Sequence, residues 1–337
     1  MIEVTMYTPS ELAQSSYIHT GLFELENEKY LKCKIKLRLK KDLGTLEIKG
    51  SKINYSKRPQ PKTSFYDIKK DNNKVVKIAI DLYDDPSKFS TQALKKCDYV
   101  FKRNFQKKNI NKLPKEYSEK IFPLGFTTGC VSRYRHGTLK IYLGLFIYLF
   151  KINIKFDRLF FSRLRTLFNS FKANFFFDKK NRDVQILRNF KSHKRKQVFF
   201  QTRCFQDELS VDNQKLHKTR NNIINELKKN IGSFYKGGFI KSKIALKNYK
   251  KNVSTIDEKI YYNEIAESQI TVYSNGLLTS PAWKMAEYLS KGNVILSENF
   301  FTDLPFELKD NKHLIYFKNA KDCGEKAAQI LNDKNKI

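Results

Sequence analysis

The sequence predicts an α/β protein of two domains, and three observations carry that expectation. β-rich apolar stretches recur in both halves with helical stretches between them, which indicates mostly parallel sheets joined by crossover helices. The chain has 337 residues, enough for two domains with separate cores. A content of 40% hydrophobic and 14% aromatic residues suits a globular chain and not a disordered one.

Taken in order, residues 1–7 read as a short strand. Residues 9–28 read as a helix with Leu12, Ser16, Ile18, Leu22 and Leu25 available for its inner face. His19 lies within that helix, where a lone histidine is more often packed than catalytic. Residues 33–39 alternate apolar and basic side chains, the pattern of a half-buried strand. Residues 42–74, rich in Gly, Ser, Pro, Asn and charge, read as loops around one or two short strands. Residues 75–82 form an apolar run interrupted by Lys77 and closed by Asp81, the best central strand of this half. It leads into Tyr83-Asp84-Asp85-Pro86, so three carboxylates crowd the strand end that faces the ligand crevice in open α/β sheets. The plainer reading is an Asp-rich turn capping a helix over residues 87–95. Residues 97–105 and 121–126 supply two further strands.

Residues 138–192 change character. Ile141, Leu145, Tyr148 and Leu149 fall at helical spacing, and residues 151–177 mix Phe and Leu with Arg and Lys. A basic amphipathic helix of that kind suits an anionic membrane surface. The alternative is a helical connector whose aromatics pack on a sheet. Nucleic-acid binding ranks last, because no recognisable nucleic-acid module is present.

The basic run at residues 193–196 marks the expected boundary. It gives an N-terminal domain over 1–137, a basic and aromatic helical segment over 138–196, and a C-terminal domain over 197–337. Residues 197–203 begin the second sheet, with Arg203 just past the strand. A helix follows over 211–229, marked by Ile223, Ile224 and Leu227. Residues 233–240 form a strand, residues 260–268 a helix, and residues 322–332 the closing helix.

Between these lies the most readable stretch, residues 269–297. A strand over 270–273 enters the turn Ser274-Asn275-Gly276. A helix then opens, with Ser280 as N-cap and Pro281 at its first position. Trp283, Ala286 and Leu289 follow at helical spacing, Gly292 stops the helix, and a strand over 294–296 closes a βαβ unit. Its first loop, with free N–H groups at a helix start, is a natural anion site.

Charge and cysteines narrow the setting. The net charge is +31, and residues 133–200 hold 17 Lys/Arg against 3 Asp/Glu. Lys outnumbers Arg four to one, so background composition explains part of the total, but not the clustering. Such a field attracts phosphates, anionic headgroups or nucleic acid. Cys33, Cys97, Cys130, Cys204 and Cys323 are scattered with no CxxC, which argues for buried thiols in a reducing compartment and against a zinc site or disulfides. No N-terminal signal pattern is present, and the longest apolar run, residues 141–150, is about half a membrane span. The expectation is a cytoplasmic protein, soluble or peripheral on the inner membrane face.

The stretches VFFQTRCF at 198–205, residues 262–276, SPAWKMAEYLSKG at 280–292 and VILSENFFTDL at 294–304 resemble the C-terminal half of GT-B-fold glycosyltransferases, particularly the family 1/family 4-like group. The resemblance covers most of residues 197–332, with a weaker likeness of layout over 1–130. It implies two Rossmann-like domains facing a cleft. It also implies metal-independent hexosyl transfer from a nucleotide-diphosphate sugar to a glycan or lipid-linked acceptor, in surface polysaccharide synthesis. No cofactor is implied beyond the nucleotide-sugar donor, which is a substrate. Asn275, Gly276 and the helix start at Ser280 would hold the diphosphate, Arg203 would assist, and Glu287 would hold the ribose. An inverting mechanism would draw its general base from Asp81, Asp84, Asp85 or His19. Two positions depart from the pattern. Thr279 stands where retaining members carry an acid, eight residues before Glu287. The lysine that accompanies Arg203 has no clear counterpart, Lys215 being no more than a candidate. These departures keep open a nucleotide- or sugar-binding relative without catalysis.

Overall fold

The computed structural model describes residues 1–7, 12–36, 44–58, 62–71, 73–134, 136–152, 158–175, 183–188, 194–205 and 210–333. The chain divides into two compact units, each with its own sheet. The first comprises Met1–Ile186 with Thr302–Pro305, and the second Leu187–Phe301 with Phe306–Ile337.

The first unit runs β1 (Ile2–Tyr7), α1 (Leu12–Asn27), β2 (Leu31–Lys36), β3 (Thr45–Lys49), β4 (Lys52–Ser56), β5 (Thr63–Lys70), β6 (Val76–Asp81) and β7 (Lys88–Ser90). It continues with α2 (Thr91–Lys96), β8 (Tyr99–Lys102), α3 (Lys107–Ile110), α4 (Lys115–Ser118) and β9 (Ile121–Pro123). It ends with α5 (His136–Ile152) and α6 (Arg158–Phe175), and α7 (Val184–Arg188) follows. A six-stranded sheet has the order β2-β1-β5-β6-β8-β9, and a second sheet pairs β4, β3 and β7. The large sheet departs from the mostly parallel expectation at its centre. β5 runs antiparallel to both β1 and β6, although β1–β2, β6–β8 and β8–β9 are parallel.

β5 lies in residues expected to be mainly loop. Its buried half, Thr63-Ser64-Phe65-Tyr66, is half polar and its tail is charged, so the sequence shows no continuous apolar run. The pleat nevertheless sends Phe65 and Ala79 to one core with Leu46, Phe89 and Val100. It sends Tyr66 and Ile80 to the other, with Val4, Met6, Phe23, Ile141 and Leu145. Burying apolar side chains on both faces holds this sheet, each such residue contributing roughly 1.5–3 kcal/mol. The helix expected over 87–95 starts later, because β7 first pairs with β3. Ser90 then caps α2, its Oγ accepting from Ala93 N at 3.1 Å. Asp85 does not cap that helix; it takes the Ser87 N–H at 2.9 Å and the Ser87 hydroxyl at 2.6 Å.

The second unit runs β10 (Arg195–Thr202), α8 (Val211–Ile231), β11 (Tyr235–Phe239), α9 (Lys243–Asn248), α10 (Glu258–Glu267) and β12 (Ser268–Tyr273). It ends with α11 (Lys284–Ser290), β13 (Val294–Ser297), β14 (Ile315–Tyr316) and α12 (Ala320–Asn332). Its sheet, ordered β11-β10-β12-β13-β14, is parallel throughout. Ile223, Ile224 and Leu227 of α8 and Cys323, Ala327 and Ile330 of α12 cover Val198, Phe200, Ile270 and Val272. β11 reaches β10 only because Gly237 has no side chain. Its φ is +122°, and a Cβ there would lie 2.1 Å from the Phe200 carbonyl oxygen. Among the described residues no helix is long and apolar enough to cross a membrane.

Candidate functional site

In a parallel sheet the carboxyl ends of the strands collect the loops that can bind. In the second unit that edge gathers three cations. Arg203 follows β10 directly and is exposed. Arg220 reaches the same place from α8, buried at 4% exposure. Its Nη1 donates to the Arg203 carbonyl at 2.9 Å, its Nη2 to the Asn275 carbonyl at 3.0 Å, and its Nε to Ser274 Oγ at 3.3 Å. These bonds stitch the ends of β10 and β12 together. Both guanidiniums lie over the Phe205 ring, Arg203 at 5.1 Å and Arg220 at 5.4 Å.

Lys284, the first residue of α11, completes the group. Its Nζ donates to the Gln201 carbonyl at the end of β10. Burial, and then the neighbouring Arg220, push the ammonium down to about 7, with Glu287 opposing. Burial likewise lowers Arg220 to about 10. Among the described residues neither side chain forms a salt bridge, although Glu287 interacts electrostatically with Lys284 and Glu298 with Arg220, so cations outnumber acids at this edge. The sequence placed Arg203 here but not the other two. Arg220 was visible only as a cation three and four residues before Ile223 and Ile224 on the inner face of α8. Lys284 was visible only as a residue one turn before Glu287.

The loop between β12 and α11 differs from its expected form. Ser280 is not an N-cap; it is extended and closes a single turn over Leu277–Thr279. Its carbonyl accepts from Gly276 N at 2.8 Å, and its N donates to the Leu277 carbonyl. The helix begins at Lys284, preceded by Trp283, because Ala282 N donates instead to the Tyr273 hydroxyl at 2.9 Å. Leu278 and Thr279 stand at φ +51° and +59°, a left-handed pair that cannot continue into a helix. Asn275 is buried, and its N donates to Glu298 Oε2 at 2.8 Å while its Nδ2 donates to the Asn299 carbonyl at 3.0 Å. The N–H groups of Asn275 and Gly276, expected to face an anion, are thus engaged within the protein. Positive charge at this edge comes from side chains and not from a helix start. Burial raises Glu298, opposed by the Asn275 hydrogen bonds and by Arg220.

Glu287 is buried in the first turn of α11 and accepts from the Tyr261 hydroxyl at 2.9 Å. It lies on the same helical turn as Lys284, and the two interact electrostatically. Thr279 donates its hydroxyl to the Leu278 carbonyl at 2.6 Å and supplies no acid.

The first unit brings Asp81 and Asp84 together at the carboxyl ends of β6 and β8, each against cations. Asp81 Oδ2 is 3.1 Å from Lys102 Nζ, both side chains fully buried, and Asp81 Oδ1 accepts from Tyr83 N at 3.0 Å. Asp84 sits between Arg103 Nη1 at 2.6 Å and Lys62 Nζ at 2.9 Å. Both carboxylates are thus engaged by side chains of the same unit. His19 is placed apart, on α1, its ring edge-on to Tyr66 at 6.2 Å. Burial pushes it down to about 4, so the ring is neutral, and its Nε2 is buried without a hydrogen-bond partner. Among the described residues no three His, Cys, Asp or Glu side chains are grouped to hold a metal ion.

No protein-family model and no curated protein matches the chain. A solved structure titled "Crystal Structure of TarM" is matched over 99% of this chain and 96% of that one, at 12% identity and a TM-score of 0.30. At that score the likeness carries no argument about the site.

Proposed function

We propose that the chain is a glycosyltransferase that takes its sugar from a nucleotide-diphosphate donor bound at the carboxyl edge of the second unit's sheet. The observation that carries this reading is the convergence of Arg203, Arg220 and Lys284, none of them in a salt bridge among the described residues, one helical turn from Glu287. Two guanidiniums and an ammonium suit a diphosphate, which is doubly charged in the donor and gains charge as it leaves. An acid beside them suits the hydroxyls of a ribose. Arg203 is the exposed member and meets the ligand first. Lys284 takes the part of the accompanying lysine, for which the sequence offered Lys215 as no more than a candidate. The acceptor is a glycan or lipid-linked hydroxyl. Among the candidate bases, Asp81 and Asp84 are held by cations and burial weakens His19 as a base.

The test is calorimetric titration of a panel of nucleotide-sugar donors, followed by donor-hydrolysis assays. A matching donor binds the native protein. Arg203→Ala and Glu287→Ala each weaken it by about tenfold or more, the loss of one charge-assisted hydrogen bond. Native-like affinity in both variants would remove these residues from the site. Thr279, in place of the second acid, favours a second reading, a donor-binding protein without turnover. Tight binding with no transfer or hydrolysis on any donor selects it.

A further inference from the structure

Helix α5 is apolar on two faces. Ile141, Tyr142, Leu145 and Leu149 form the inner one and are buried. The outer stripe is Leu139, Leu143, Phe146, Ile147 and Phe150, recurring at steps of three and four residues and exposed, Leu139 by 53%. The neighbouring α6 adds Phe161 and Phe168, two turns apart, with Phe168 64% exposed and Phe160 buried behind them. Phe150 packs edge-on against Phe160 at 5.2 Å, so the two helices lie side by side. Soluble proteins rarely leave so large an apolar surface uncovered.

What covers this surface is indicated by its charge. Lys140, Arg158 and Arg165 are exposed on the same two helices. Residues 136–175 as a whole carry seven Lys/Arg against one acid, Asp157. A second copy of the chain, docked about a two-fold axis, would set this basic surface against itself. An anionic surface complements it. Because no described helix is long and apolar enough to cross a bilayer, the helices would lie in the plane of the interface.

We propose that the α5–α6 face binds an anionic lipid surface, its apolar stripe entering the headgroup–acyl boundary and its basic side chains meeting lipid phosphates. The inference concerns the first unit and does not depend on the donor site in the second.

The experiment sediments the full chain with vesicles of phosphatidylcholine alone, or with about one third phosphatidylglycerol added. The expected result is binding to the anionic vesicles only, weakening as salt rises. The triple variant Phe146→Ser, Ile147→Ser, Phe168→Ser should lower partitioning by about a hundredfold or more, as should Lys140→Glu, Arg158→Glu, Arg165→Glu. Circular dichroism checks that both remain folded, and the single variant Phe168→Ser, at the most exposed of these positions, stands in if the apolar triple does not. No binding to anionic vesicles, equal binding to neutral ones, or native binding by the variants overturns the proposal. So does a dimer in analytical ultracentrifugation that the apolar variant disperses while vesicles go unbound, which would assign the face to a second copy.

Discussion

Lys284 holds an ammonium group against a carbonyl in a half-buried position beside two guanidiniums. The folded chain therefore binds its proton less tightly than the unfolded chain, whose value is the ordinary 10.5. Folding stability carries the full cost of the charge below pH 7. It rises as the pH climbs from about 7 towards 10.5, since the unfolded state then holds the extra proton. A bound diphosphate makes the opposite demand, because it favours the protonated form. Donor affinity should thus be greatest below about pH 7 and fall by about tenfold between pH 7 and pH 8.5. In Lys284→Arg, which stays charged throughout, the profile should be flat. Titration calorimetry across that range decides the matter; a flat profile in the native protein would put Lys284 outside the ligand's reach. At this scale the sequence was half legible. Arg203 and Glu287 stand beside readable secondary structure, whereas Arg220 and Lys284 acquire their roles only when α8 and α11 are brought over the end of β10.

β11 and β5 are the elements whose behaviour depends most on pairing. In β11 the close approach to β10 at Gly237 admits no Cβ, and the φ of +122° suits glycine alone. Gly237→Ala should cost more than about 3 kcal/mol in chemical denaturation, adding a steric clash to an unfavourable backbone conformation. A loss under about 1 kcal/mol would mean that the strand can shift without harm to the sheet. The elements of the second unit could be read in advance because β10 and β12 centre on β-branched and aromatic residues, Val198-Phe199-Phe200 and Ile270-Thr271-Val272-Tyr273. β5 could not, since it mixes Thr, Ser and Asp with its apolar residues and is held by neighbours on both sides. The helix start misplaced at Ser280 has a similar origin. Ser-Pro is a sound capping signal, but the Tyr273 hydroxyl, nine residues away, takes the Ala282 N–H.

At the scale of the whole chain, two units with separate sheets and cores should not unfold as one. Differential scanning calorimetry should resolve two transitions. A donor at a hundred times its dissociation constant should stabilise only the one belonging to the second unit, by about 2.7 kcal/mol. Both transitions moving together would show that donor binding draws on the two units at once. The net charge of +31 adds a background of weak, salt-sensitive attraction to any polyanion. Such binding should vanish at high salt before donor binding does.

The four residues Thr302–Pro305 belong to the first unit although they come from the far end of the chain. Thr302 Oγ1 donates to Asn104 Oδ1 at 2.7 Å, Asp303 N donates to the Phe105 carbonyl at 2.8 Å, and Asp303 Oδ2 accepts from Lys107 N at 2.6 Å. During synthesis these partners emerge from the ribosome far apart in time. At about 5–20 residues per second the first unit waits roughly ten seconds for its last four residues. It must persist through that interval with the backbone at Phe105 and Lys107 open to water. Birth order and spatial order disagree here: the N-terminal unit is sealed only after most of the second unit has been made.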